Sequence, residues 1–113
     1  MNTPDILSFD TYRNCILCPR MCKADRSRAA GYCGCSSVLT AARAALHHWE
    51  EPCISGTRGS GAVFFTGCSL KCVYCQNYEI STERNVGKSL TPQELAGTFQ
   101  RLADQGAHNI NLV

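Results

Sequence analysis

A short apolar run, Ala62-Val63-Phe64-Phe65-Thr66, lies between Gly61 and Gly67 and leads straight into Cys68-Ser-Leu-Lys-Cys72-Val-Tyr-Cys75. No other segment limits the possible fold as sharply. The run is short enough for a strand and apolar enough to be buried on both faces, as strands of parallel sheets are. Gly67 permits a tight backbone turn directly after it. The C-x3-C-x2-C spacing then places three thiols in one loop. Three thiolates hold three irons of a cubane cluster and leave the fourth open to a small molecule, whereas an electron-transfer cluster uses four. The spacing therefore points to chemistry at an open iron. The same residues also allow part of a zinc knuckle, or three unligated thiols. The preceding strand and the aromatic at Tyr74 favour the cluster.

The remainder of the second half extends this frame. Residues 76–90 read as a polar loop. Thr91-Pro92-Gln93-Glu94 is a capping box with proline at the first helical position. Leu95, Phe99 and Leu102, beside Ala96 and Ala103, supply the apolar stripe of a helix, which Gly97 weakens and Gly106 ends. Asn109 to Val113 reads as a second strand. Strand, loop, helix, strand is a βαβ unit, whose strands pair in parallel through a right-handed crossover. Ligands of such sheets bind beyond the C-terminal ends of the strands, where the triplet lies. The predicted fold class is α/β: residues 62–113 form the first βαβ unit of a (β/α) barrel. A full barrel needs on the order of 200 residues or more. Two parallel strands and one helix also leave edges unpaired. The expectation is an incomplete domain.

Residues 1–61 form the other predicted unit, a cysteine-rich metal-binding segment and its connection. Residues 1–12 read as a polar lead-in with a short helix from Pro4. Cys15-x2-Cys18-x3-Cys22-x10-Cys33 then places four thiols in a basic stretch with little periodicity. Four such thiols close a tetrahedral zinc site or hold a second 4Fe–4S cluster, and the spacing does not choose between them. Cys35 is an additional thiol that could replace Cys33. The cations Arg13, Arg20, Lys23, Arg26, Arg28 and Arg43 face only Asp25. They fit the negative charge of a thiolate-bound centre better than a nucleic-acid surface, since few aromatics interleave them. Residues 38–49 are compatible with a helix or an extended segment. Pro52 to Gly61 reads as a connection, whose Arg58 helps seat a neighbouring loop. His47, His48, Glu50 and Glu51 read as structural or solvated groups, and Cys53 as a reduced thiol.

Composition sets limits on function. Nine cysteines among 113 residues are an odd number, so full pairing within the chain is impossible. Met1 to Tyr12 has no basic start followed by an apolar run, and no stretch reaches the ~20 apolar residues of a membrane span. The expectation is a cytoplasmic protein that uses its cysteines for metal. A net charge of +2 gives no reason to invoke nucleic acid or membrane. No serine, histidine and carboxylate arrangement points to hydrolysis.

Gly67 to Cys75, with its aromatic before the last cysteine, resembles the signature of radical S-adenosylmethionine (SAM) enzymes. Glu50 to Gly61, Phe64 to Cys68, Cys75 to Ser81 and Gly106 to Val113 resemble, more narrowly, the uncharacterised proteins related to pyruvate formate-lyase activating enzyme. The similarity runs from about Arg13 to Val113. It implies that Cys68, Cys72 and Cys75 each ligate one iron of a 4Fe–4S cluster whose fourth iron takes SAM. It implies reductive cleavage of SAM to a 5′-deoxyadenosyl radical that abstracts hydrogen. By the same analogy Tyr74 lies near the adenine. Further implied are a flavodoxin- or ferredoxin-like electron donor and, as protein substrate, a glycyl radical enzyme. The subgroup also carries a Cys-x-x-Cys-Pro-Arg run like Cys18 and its neighbours. The competing expectation is a small non-catalytic iron–sulfur or zinc module for binding or electron transfer.

Overall fold

The computed structural model describes residues 9–82 and 86–113. The helix expected from Pro4 lies outside them at its start; Phe9–Tyr12 form a 3-10 turn. The ordered elements are β1 (Leu39–His47), α1 (Pro52–Ser55), β2 (Ser60–Phe65), α2 (Tyr78–Ser81), β3 (Lys88–Leu90), α3 (Pro92–Asp104) and β4 (Ile110–Leu112). The strands form one four-stranded sheet in the order β3-β1-β2-β4.

The expected βαβ unit is present: β2 and β4 pair in parallel, with Ala62 opposite Asn111, and α3 lies between them in sequence. Helix α3 starts where its capping box places it. Glu94 donates its backbone N–H to Thr91 Oγ1 at 3.2 Å, and Thr91 donates its own to Glu94 Oε2 at 2.8 Å. Leu102 is buried, while Ala96 and Ala103 remain exposed. The buried stripe is therefore narrower than the sequence pattern. Val63 and Leu102 are the centre of the core, with Phe65, Leu95, Phe99 and Ile110 packed around them.

The structure decides one open reading and differs from the sequence reading in two places. Residues 38–49, open between helix and strand, contain β1, which pairs antiparallel with β2 and carries a bulge between Ala41 and Arg43. Its alanines are small enough to lie against the buried β2, and hydrogen bonding to that strand outweighs their helical propensity. The stretch 76–90 is not all loop. It contains α2 and the edge strand β3, which pairs antiparallel with β1 through Leu39 and Leu90. The connection 52–61 includes the single turn α1. The result is a mixed α/β sheet, with β1 covering the side of β2 that a lone βαβ unit would leave open.

At the N-terminal ends of β2 and β4 the connection is tied to the turn after α3. Arg58 donates from Nε to the Gly106 carbonyl at 2.9 Å, and its backbone N–H reaches His108 Nε2 at 3.3 Å. Asn109 donates to the Ile54 carbonyl at 2.8 Å. Arg58 thus seats a neighbouring loop, as its position in the sequence implied. His47 and His48 lie at this same end, His47 beside Glu50 at 3.7 Å.

Candidate metal centre

The triplet leaves the C-terminal end of β2, opposite the Arg58 and histidine end. Gly67 makes the turn at φ +88° and donates its N–H to the Ile80 carbonyl at 2.9 Å. A Cβ at this position would lie 2.3 Å from Cys35 Sγ and 2.7 Å from the Cys33 carbonyl oxygen. Only glycine fits, because the N-terminal cysteine segment packs directly on the turn. Beyond it, Lys71 adopts a left-handed φ of 54°, and Cys75 donates its N–H to the Cys72 carbonyl at 3.2 Å. These bends keep Cys68, Cys72 and Cys75 in one loop, all three partly buried.

Local donors reach the sulfurs at two of the three positions. Leu70 donates its N–H to Cys68 Sγ at 3.4 Å, and Ser81 Oγ donates to Cys75 Sγ at 3.5 Å. The Cys68 thiol is held below its ordinary range, first by the backbone N–H of Lys71 and then by that of Leu70. Tyr74 is 88% exposed beside Val73. It is free to face a ligand and has no part in the core.

The N-terminal cysteines wind around Arg26. This half-buried guanidinium donates to the carbonyls of Cys35 and Ser36 at 3.0 and 2.9 Å and to Cys15 Sγ at 3.5 Å, and lies over the Tyr12 ring. Cys15 is buried and its backbone pairs with Ala24 and Lys23. Met21 and Lys23 take positive φ in the tight loop carrying Cys22. The exposed Cys22 thiol is lowered by backbone hydrogen bonds from Ala24 and then Tyr32. Cys35 behaves in the opposite sense. Burial, and after it the charge of Cys33, pushes its thiol up to about 11, and Sγ donates to the Thr66 carbonyl at 3.2 Å.

The two cysteine sets, separate in sequence, meet in space. Cys68 donates its backbone N–H to the Cys33 carbonyl at 3.1 Å, and Arg20 Nε donates to the Ser69 carbonyl at 3.0 Å. Arg20 and Lys71 both lie over the ring of Tyr32, at 4.1 and 4.5 Å from its centroid. A cavity of about 240 Å3 is lined by Cys15, Cys18, Cys22, Cys33, Cys35 and Cys68. Cys72 and Cys75 lie outside that wall. A second cavity of about 400 Å3, lined among others by Thr40, Thr66, Lys71, Ser81 and Gly87, opens beside the same turn. Its polar residues carried no sequence signal, because they come from β1, the triplet loop and the segment before β3.

Among the described residues no group of three or more His, Cys, Asp or Glu is arranged to hold a single metal ion. A cubane takes one thiolate at each of separate irons, so convergence on a single ion is not the arrangement it needs. Half-buried sulfurs that accept N–H and O–H bonds are the donors such a cluster requires. Cys68 and Cys75 supply such sulfurs, and the half-buried Cys72 lies between them in the same loop, so the donor set is of the type a cluster takes. All nine cysteines are free thiols, and no helix among the described residues is long and apolar enough to cross a membrane.

The chain is similar to an uncharacterised protein of Methanocaldococcus jannaschii, 31% identical over 113 positions that take in 95% of this chain. It spans 32% of that relative's length. No solved structure matches it. Residues 62–113, which begin in β2 and include the whole triplet, match the model of the radical SAM superfamily, a family characterised by a 4Fe–4S cluster and S-adenosylmethionine.

Proposed function

We propose that this chain carries the cluster-binding part of a radical SAM protein, in which Cys68, Cys72 and Cys75 hold three irons of a 4Fe–4S cluster. The observation that carries the reading is the position of the three-thiol loop, at the C-terminal end of a buried strand with a parallel neighbour. Open α/β sheets bind their ligands there. A 4Fe–4S cluster held there would supply, with an electron from a carrier protein, reductive cleavage of a sulfonium C–S bond of SAM and hydrogen abstraction from the substrate.

The chain's own residues have defined tasks in this reading. Gly67 brings the loop against the cysteine-rich segment, and Leu70 N–H and Ser81 Oγ hold the sulfurs of Cys68 and Cys75. Tyr74, exposed on the loop, lies near the adenine. The cavity beside Thr66 and Lys71 offers polar groups for the rest of the ligand. Similarity to the activating-enzyme subgroup supports a glycine of a partner enzyme as hydrogen source. It also supports a flavodoxin- or ferredoxin-like protein as electron donor, in a reducing, cytoplasmic setting. The division at residues 61 and 62, and growth of the βαβ unit into a barrel, belong to the same proposal.

The test is anaerobic reconstitution with iron and sulfide, reduction, and addition of SAM. A changed EPR spectrum of the reduced cluster is expected, and Cys72→Ala should remove both the triplet's signal and its response. An unchanged spectrum, with no 5′-deoxyadenosine formed, would sink the reading in favour of a non-catalytic iron–sulfur module.

A further inference from the structure

We infer that the exposed face built on Tyr32, with Arg20 and Lys71 over its ring and Leu17 and Leu70 beside them, docks an acidic one-electron carrier protein against the triplet loop. An electron carrier as the occupant rests on the proposed cluster at Cys68, Cys72 and Cys75, which needs an electron from outside. The face itself rests on side chains alone.

The cations around the cysteine segment divide by what they touch. Arg26 is turned inward and engaged by the carbonyls of Cys35 and Ser36 and by Cys15 Sγ. Arg28 pairs with Asp25 at 3.6 Å. Arg20 and Lys71 have no carboxylate in ion-pair reach among the described residues. Both instead lie over one ring, at 4.1 and 4.5 Å from its centroid. The negative face of an aromatic ring attracts cations, so Tyr32 keeps together two like charges that would otherwise separate. Arg20 Nε is fixed on the Ser69 carbonyl at 3.0 Å, and its two terminal amino groups have no acceptor among the described residues. Two positioned cations with donors left over are what a partner's carboxylates complete.

The apolar neighbours fit a protein better than a small anion. Tyr32, Leu17 and Leu70 are 45, 47 and 71% exposed. Exposed apolar side chains edged by cations are the pattern of a protein interface, where Tyr and Arg contribute most to binding. Position supplies the kind of partner. Leu17, Arg20 and Tyr32 share one wall with Cys68 and Ser69, and Leu70 and Lys71 belong to the triplet loop itself. A protein docked here lies against that loop, and it loses one electron for each one that a centre held there gains.

The test titrates the 113-residue chain, reconstituted with iron and sulfide, with an oxidised flavodoxin, an acidic flavin carrier. Flavin fluorescence anisotropy reads binding. Binding is expected at about 0.01 M salt and lost at about 1 M, as the screening length falls from about 30 to about 3 Å. Arg20→Glu and Lys71→Glu should each weaken it by about tenfold. Arg101→Glu makes the same change of charge on the exposed side of α3 and should leave it within about twofold. Circular dichroism identifies a variant that has lost its sheet, and Arg20→Gln or Lys71→Gln then replaces it.

Absence of binding, or equal weakening by all three reversals, would overturn the inference. So would tighter capture of a single-stranded oligonucleotide or of phosphatidylglycerol vesicles at the same residues. Binding with the expected pattern, in a chain whose EPR spectrum ignores SAM, keeps the docking face and sinks the proposed function. A response to SAM, beside binding indifferent to Arg20 and Lys71, does the reverse.

Discussion

Replacing Gly67 with alanine tests whether the two cysteine sets are built against each other. Two costs arise there. A φ of +88° puts a side chain in the left-handed region, worth about 1–2 kcal/mol for a non-glycine residue. The new Cβ would also meet Cys35 Sγ at 2.3 Å and the Cys33 carbonyl oxygen at 2.7 Å. The thiol can rotate away, but the carbonyl is backbone already bonded to Cys68, so overpacking adds about 1–3 kcal/mol. Together the loss is about 2–5 kcal/mol, a large part of the roughly 5–15 kcal/mol that holds a domain folded. Two other glycines calibrate the result. Gly34 has φ +81° with nothing within 4 Å of its would-be Cβ, so Gly34→Ala should show the conformational cost alone. Gly97, in α3 with open space around it, should gain about 0.5–1 kcal/mol as alanine. Urea unfolding of the metal-free chain, followed by circular dichroism, reads all three. With a slope of about 2 kcal/mol/M, the Gly67→Ala midpoint falls by roughly 1–2.5 M. Adding Cys35→Ala should restore part of the loss, and the carbonyl contact keeps the rest. A Gly67→Ala midpoint equal to that of Gly34→Ala would refute the packing account.

Three further outcomes are expected. Leu102→Ala, at a position 1% exposed under the sheet, should cost about 2–5 kcal/mol in the same unfolding measurement. Thr91→Ala removes the acceptor for the Glu94 N–H and should cost about 1 kcal/mol, with circular dichroism showing α3 frayed at its start. In the metal-free chain, thiol alkylation mapped by mass spectrometry should begin at lower pH for Cys68 and Cys22 than for an ordinary thiol of 9.0, and come last for Cys35. The sign for Cys35 follows from its raised value. The fold favours the neutral thiol, so that contribution is intact below about pH 9 and is lost as the pH rises through about 11. Labelling of Cys35 together with Cys68 would contradict this.

What was legible in the sequence was local. The apolar run of β2, the Thr91 capping box and the stripe of α3 each declare their structure within a few residues, and the βαβ order follows from them. Strand β1 was not legible, because Leu39 to His47 is rich in alanine, which suits a helix as well as a sheet edge. Only its pairing with Ala62 and Val63 decides. Strand β3 is three residues long with Lys88 and Ser89 exposed, so it has almost no pattern to detect. The site divides in the same way. Cysteine spacing marked both sets, but their meeting depends on Cys35 lying over Gly67 and Arg20 reaching Ser69, contacts between residues far apart in the chain.

The antiparallel course of β1 makes the two flanks of β2 unlike. Strand β2 has two flanks, and β1 takes one of them in the orientation that a parallel barrel cannot continue. Strand β2 thus has its one parallel neighbour in β4, an edge strand whose Leu112 is 59% exposed. The parallel pair therefore lies at one edge of the sheet and the antiparallel pairs at the other, with the cysteine-rich segment packed on the turn that follows β2.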